Sequence, residues 1–119
     1  MNTENLLQKI ENLAGIIGLY ALYNDDQLCV YVGKADCLKS RLKTHIKKRS
    51  DIVAIGIVDL RKQASGMDYE NTKAYLRFKE AQLIESLNPI ENIMRPKITP
   101  EYWQSLPVEA ARQVINELK

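Results

Sequence analysis

Two adjacent apolar runs near the start of this 119-residue chain constrain its fold more than any other feature. Ile16–Tyr23 and Leu28–Gly33 are rich in β-branched and aromatic residues, and only the polar segment Asn24–Gln27 separates them. Such runs favour strands, and so short a connection permits only an antiparallel pair. We therefore expect a β-hairpin, in which a four-residue loop would place Tyr20 directly opposite Tyr31.

The same register would set Gly18 opposite Gly33, leaving bare backbone beside the two phenols. Glycine inside a strand often marks a place where a ligand or another chain approaches closely. The alternative is that both tyrosines are ordinary sheet residues and that neither glycine has a special role.

Apolar periodicity predicts helices and one further strand in the rest of the chain. Before the hairpin we expect a short helix that Thr3 caps and Gly15 ends, and after it a basic helix that Asp36 caps and that runs to about Lys48. A largely buried strand at Ile52–Leu60 and a polar loop between Gln63 and Met67 should follow. The chain should then form a long helix from about Tyr69 to Leu87, ended by Asn88-Pro89, and a last helix that packs through Val108, Ala111, Val114, Ile115 and Leu118.

This order of elements predicts an α/β fold, an α+β sandwich around a three-stranded, mostly antiparallel sheet with extra helices at both ends. The length suits one domain over 1–119, with a core at about 16–96 and a helical tail at 97–119. No run approaches a membrane span, and no signal peptide opens the chain. Cys29 and Cys37 are too few for a disulfide scaffold, so we expect reduced thiols and a cytoplasmic protein.

Positive charge is concentrated in one element of a chain whose net charge is only +2. The segment Lys34–Arg49 holds seven Lys or Arg against one acid, a pattern that suggests a phosphate-containing partner. Within its helix, Arg41 and His45 share one face at the edge of the apolar stripe, where they could hold a phosphate and exchange a proton. Lys39, Lys43 and Lys47 form a separate row suited to a polyanion. The alternative is a solvated basic face with a half-buried histidine.

Glu80 is the most informative acid because it falls within the apolar stripe of the long helix, among Leu76, Leu83, Ile84 and Leu87. A carboxylate there needs compensation from Arg41, from a lysine or from a bound divalent cation. A single carboxylate suits Mg²⁺ or Mn²⁺, which keep several waters and take other ligands from substrate phosphate. A structural salt bridge is the alternative.

Taken together, these residues resemble the signature of the GIY-YIG nuclease superfamily. The elements that match are Gly18-Leu19-Tyr20, Tyr31-Val32-Gly33-Lys34-Ala35, Leu38 with Arg41 and His45, Glu80 to Ile84, and Asn88-Pro89 with Asn92. The resemblance covers about Ile16 to Pro96. It is greatest to the excision-repair members of the family, although His45 stands where those have tyrosine and restriction-type members have histidine. Leu19 replaces the usual isoleucine or valine, and we expect no appended recognition module.

The resemblance implies a divalent-metal-dependent endonuclease that hydrolyses DNA, with a possible role in DNA repair. In this interpretation Tyr20 or Tyr31 helps to deprotonate water, and we favour Tyr20 as the base. Glu80 holds Mg²⁺ or Mn²⁺, Arg41 stabilises the transition state, and His45 or Lys34 helps to favour the phenolate. The residues expected to bind substrate are Gly33, Lys34, Lys39, Lys43, Lys47 and Asn92, the last steadying Glu80 or the metal's waters.

We expect cleavage directed by DNA structure or by a protein partner rather than by a fixed sequence, because phosphate contacts position a duplex without reading its bases. Two alternatives remain. One is a catalytically silent nucleic-acid-binding module or a subunit of a larger complex. The other is a plain α/β interaction domain without nucleic acid.

Overall fold

The computed structural model describes residues 2–92 and 98–118, apart from the side chains of Asn2, Thr3 and Trp103. Its elements are α1 (Asn2–Glu11), β1 (Gly18–Asn24), β2 (Cys29–Ala35), α2 (Leu38–Lys47), β3 (Ile52–Asp59), α3 (Arg61–Ala64), α4 (Tyr69–Leu87), α5 (Pro100–Gln104) and α6 (Val108–Glu117). The expected boundary between core and tail, at 96/97, and Pro96 lie outside the described residues.

The three strands form one antiparallel sheet in the order β2-β1-β3, which confirms the predicted fold class. Helices pack on both faces of this sheet. Tyr20 and Leu22 face α1 and α2, whose buried side chains include Ile10 and Leu42. Leu19 on the opposite face packs with residues of α4 and α6. In the described ranges, no helix is long and apolar enough to cross a membrane.

The hairpin forms as predicted, but its predicted register is wrong by two residues. Tyr20 lies opposite Gly33, and Gly18 lies opposite Ala35. The connection is effectively three residues long: the Asn24 amide donates to the Leu28 carbonyl at 3.0 Å. Residue Gln27 takes the left-handed conformation typical of such loops (φ 64°), and an irregularity follows Leu22. A shift of two residues keeps every side chain on its face, so Tyr20 and Tyr31 still project from the same side.

Three other local expectations are wrong. Helix α2 begins after Cys37, and no side chain caps it, so Asp36 is not the cap. The helix α1 begins at Asn2, which places Thr3 inside it. Gln63 belongs to the short helix α3 rather than to a loop.

The third strand was expected to be largely buried, and this expectation is also wrong. As an edge strand it buries only Ile52, and Ile57 and Val58 are each 36% exposed. A strand at the edge of a sheet has a neighbour on one side only, and the sequence of the strand itself does not show which position it takes.

The packing predicted for the last helix is wrong in part. Val114 is buried as expected, but Val108, Ile115 and Leu118 are largely exposed, and Ala110 is buried instead. The Ala110 amide donates to Asn71 Oδ1 of α4 at 2.9 Å, and this bond sets the rotation of α6.

The bounds predicted for the long helix are confirmed. Asp68 caps α4 by accepting a hydrogen bond from the Asn71 amide at 2.9 Å, and Asn88 ends it in the left-handed conformation (φ 49°). The predicted stripe of α2, Leu38, Leu42 and Ile46, is buried. Both cysteines are free.

Candidate active site

Three aromatic side chains from three elements meet on the α2 side of the hairpin. The hydroxyl of Tyr20 lies 2.8 Å from Nε2 of His45. The ring centre of Tyr31 lies 6.2 Å from the ring centre of Tyr20 and 5.3 Å from that of His45. The buried stripe of α2 fixes the rotation of that helix and thereby turns His45 toward the two tyrosines. Three of the residues singled out from the sequence are therefore in contact.

Gly33 provides the space that the Tyr20 side chain occupies. A Cβ at this position would lie 2.4 Å from both Cζ and Oη of Tyr20, a separation far below van der Waals contact. Its function in the structure is thus to let the phenol lie across β2 and reach His45.

Replacing Gly33 with alanine should destabilise the fold by about 1–3 kcal/mol, the usual cost of overpacking, because the buried Tyr20 ring has to move. Urea unfolding measures this effect. Gly56→Ala is the matched control, since a Cβ there meets only ordinary contacts at 3.5 Å or more. Equal effects of the two substitutions would mean that Gly33 is not needed for Tyr20 placement.

The electrostatic environment keeps Tyr20 protonated and His45 neutral. Burial raises the pKa of Tyr20 above its usual value, Tyr31 and Glu80 raise it further, and the Arg41 charge opposes them. Burial likewise lowers the pKa of His45, with smaller contributions from Arg41 and other cations. The nearby cations therefore do not outweigh burial at Tyr20, so a free phenolate is not favoured.

Glu80 lies half-buried on α4 within electrostatic range of the aromatic cluster. Burial raises its pKa, while Lys34, Arg77 and Arg41 act in the opposite direction. In the part of the chain that the structure describes, no side chain forms a hydrogen bond or ion pair with this carboxylate. Only the longer-range effects of these cations therefore compensate the Glu80 carboxylate in the described residues.

The basic residues predicted to bind substrate separate into two groups. Lys39 and Lys43 of α2 are both paired with Glu11 of α1, at 2.8 Å and 2.6 Å. Lys34 and Arg41, by contrast, line a cavity beside the aromatic cluster. Lys47 is exposed near the end of α2. The predicted lysine row is thus partly neutralised, whereas Lys34 and Arg41 have no ion pair within the described residues.

Asn92 follows α4 in the chain, and its side chain hydrogen-bonds to the backbone of β2. Its Oδ1 accepts from the Val32 amide and its Nδ2 donates to the Val32 carbonyl, both at 2.9 Å. The neighbouring Ile90 and Glu91 amides donate to the carbonyls of Cys29 and Val30. Asn92 therefore anchors the segment after α4 to the strand that carries Tyr31.

The family model described as the UvrC-like GIY-YIG domain matches residues 16–93, which include every one of these site residues. The chain belongs to this UvrC-like GIY-YIG family. The resemblance inferred from the sequence is therefore confirmed.

Known members of the UvrC-like GIY-YIG family agree with this assignment. UvrABC system protein C of Maricaulis maris is 36% identical over 87 residues, 71% of this chain. The chain spans only 13% of the length of that relative. Two crystal structures of the N-terminal GIY-YIG endonuclease domain of UvrC from Thermotoga maritima share the fold, with TM-scores of 0.54 and 0.55. They are 21% and 20% identical to this chain, and each match covers 76% of it and 98% of the other.

Sequence reasoning on this UvrC-like GIY-YIG chain missed the residues that the first two turns of α4 contribute to the cavity. Tyr69, Thr72 and Lys73 line the same cavity as Lys34 and Arg41. Helical spacing was the signal available: positions 69, 73, 77 and 80 share one face of α4 with the carboxylate.

Proposed function

We propose that the chain is a divalent-metal-dependent endonuclease domain that hydrolyses phosphodiester bonds of DNA. The observation that carries this proposal is the hydrogen bond between Tyr20 and His45 within reach of Arg41 and Glu80. It unites a proton-transfer pair, a guanidinium and a carboxylate in a member of the UvrC-like GIY-YIG family. A catalytically silent module would have no need to preserve this set.

A relay explains how a phenol that keeps its proton can act as a base. The Tyr20 hydroxyl donates to the unprotonated Nε2 of neutral His45. As water attacks the phosphorus, its proton passes to Tyr20 Oη while the original phenol proton passes to Nε2. The bond from phosphorus to the leaving sugar oxygen breaks, and that oxygen takes a proton from solvent. No phenolate has to accumulate, which suits the raised pKa of Tyr20 and the lowered pKa of His45.

Two neighbours complete the proposed chemistry. Tyr31, in ring contact with both Tyr20 and His45, orients the attacking water. Arg41 faces the negative charge that develops on the phosphate oxygens in the transition state.

Glu80 is the residue that would hold the metal. In residues 2–92 and 98–118, no three His, Cys, Asp or Glu side chains are grouped to bind a metal ion. One half-buried, unpaired carboxylate nevertheless fits Mg²⁺ or Mn²⁺, which bind through few protein ligands plus water and phosphate. When bound, such an ion neutralises charge on the scissile phosphate. The relatives support this, since both Thermotoga maritima structures are bound to a catalytic divalent cation.

The proposed setting is DNA repair in a reducing cytoplasm. The Maricaulis maris relative is named as a component of the UvrABC system, and both cysteines here are free. We propose that the chain cuts at distorted or branched DNA, or where a protein partner directs it.

The test is incubation of the pure protein with supercoiled plasmid, a branched duplex and single-stranded DNA, each with Mg²⁺, Mn²⁺ or EDTA. Nicking that requires a divalent ion is expected, with cleavage positions that follow DNA structure. Absence of metal-dependent nicking on every substrate would contradict the proposed function.

Glu11 should restrain DNA binding, because it neutralises Lys39 and Lys43 and its pKa is lowered to about 2 by their hydrogen bonds. Glu11→Gln is expected to increase affinity and to steepen the dependence of affinity on salt by up to about two phosphate contacts. Fluorescence anisotropy at several salt concentrations measures both effects. Glu4→Gln removes the same charge from α1 without freeing a lysine; an equal response to it would show a general charge effect.

A further inference from the structure

A cavity of about 170 Å³ lies between the end of β2, the middle of α2 and the first two turns of α4. Its lining consists of Lys34, Ala35, Asp36, Arg41, Tyr69, Thr72, Lys73 and Leu76. It shares Lys34 and Arg41 with the proposed active site, and both residues also act on the pKa of Glu80. An anion bound there would therefore share two cations with the proposed active site.

The charge of the cavity suits an anion. Lys34, Arg41 and Lys73 oppose one carboxylate, that of exposed Asp36. Across the described ranges, none of the three cations has an ion pair, whereas Lys39 and Lys43 share one with Glu11. Thr72 adds a hydroxyl that can donate to a phosphate oxygen.

The size of the cavity suits a single group rather than a whole cofactor. Its volume lies below the roughly 300–1,000 Å³ typical of small-molecule sites and well above the ~30 Å³ share of one water in the liquid. A phosphate group with part of its sugar is of the expected size.

Tyr69 at the rim provides a surface for a base. Its side chain is 70% exposed, which is unusual for an aromatic residue. Lys73 Nζ lies 5.8 Å from the ring centre and limits its motion. Aromatic faces of this kind stack nucleic-acid bases, but only bases that have left the double helix.

We propose that this cavity binds the phosphate next to the one that is cut and that Tyr69 stacks on the adjoining base when that base is unpaired. The inference rests on the proposed function and specifies its substrate: DNA with an unpaired nucleotide beside the cut. Lys34, Thr72 and Lys73 contact this phosphate, Arg41 bridges it to the phosphate that is cut, and Tyr69 distinguishes unpaired from paired DNA.

Binding is measured by fluorescence anisotropy in EDTA, with a fully paired duplex and with the same duplex carrying a single-stranded flap. Tyr69→Ala should weaken flap binding about five-fold or more, the effect of losing one stacked base, and leave duplex binding nearly unchanged. Tyr69→Phe should retain the preference because its ring still stacks. Circular dichroism verifies that each variant is folded.

Lys73→Ala should weaken binding of both DNAs and lower the salt slope by about one contact, whereas Lys62→Ala, an exposed lysine of α3, should change neither. The inference is overturned if the parent protein binds flap and duplex equally, if Tyr69→Ala weakens both alike, or if Lys62→Ala matches Lys73→Ala. Metal-dependent nicking by the parent protein is scored separately. If the parent protein nicks DNA and one of the three contrary binding results is obtained, only the cavity assignment is refuted. If the parent protein does not nick DNA, the nuclease proposal is refuted.

Discussion

Glu80→Gln should reduce metal-dependent cleavage about a thousandfold or more and leave the chain folded. The substitution removes the only carboxylate proposed to hold the ion, whose stabilisation of the transition state is worth several kcal/mol. DNA binding in EDTA should persist, because Lys34, Arg41 and Lys73 are untouched. Single-turnover cleavage with Mg²⁺ and anisotropy in EDTA separate the two effects.

Stability distinguishes this metal-binding role from a structural one. Burial raises the pKa of Glu80, so ionising this group costs the folded state more free energy than it costs the unfolded chain. Neutral glutamine should therefore leave the metal-free melting temperature unchanged or higher. Glu85→Gln, on an exposed face of the same helix, is the control and should cleave normally. Retained cleavage by Glu80→Gln, or a marked fall in its melting temperature, would indicate a structural acid.

Tyr20→Phe should lower turnover by about 10²- to 10⁴-fold with little change in DNA affinity. Only the hydroxyl that bonds to His45 is lost, and the ring still packs over Gly33. Tyr75→Phe is a matched control: Tyr75 is equally buried, but its hydroxyl bonds to Glu117 on α6. Its cleavage rate should equal that of the parent. An unchanged rate for Tyr20→Phe would refute the relay.

The relay also predicts how cleavage depends on pH. His45 has to be neutral to receive a proton, and its pKa lies below the usual 6.5. Turnover should therefore persist as the pH falls through 6.5 and decline only below it. A decline centred above 6.5 would mean that His45 is not the acceptor.

Local features of the sequence predicted much of this fold. The bounds of α4 followed from helical periodicity and Asn88-Pro89, which act within a few residues, and the Asp68 cap found in the structure is equally local. The hairpin was equally predictable from local sequence. The register of its strands was not, because it depends on the left-handed conformation of Gln27 and on an irregularity after Leu22.

The candidate site was predictable where one element carries the signal. Tyr20 and Tyr31 stayed on one face despite the register error, and helical spacing placed Arg41 and His45 together. The pairing of Glu11 with two lysines of α2 depends on how α1 packs, which no local pattern encodes. The cavity lined by Lys34, Arg41 and Lys73 was missed for the same reason, since three elements build it.

The segment that follows α4 ties the parts of the site into one cooperative unit. Asn92 bonds to Val32 of β2, and Glu91 bonds to Arg49 just beyond α2, at 3.0 and 2.6 Å. Hydrogen bonds from this one segment thus connect the elements that carry Tyr31, His45 and Glu80. The Val32 amide donates to Asn92, so its hydrogen exchanges with solvent when this segment detaches. Its exchange rate would therefore report how often the elements of the candidate site separate.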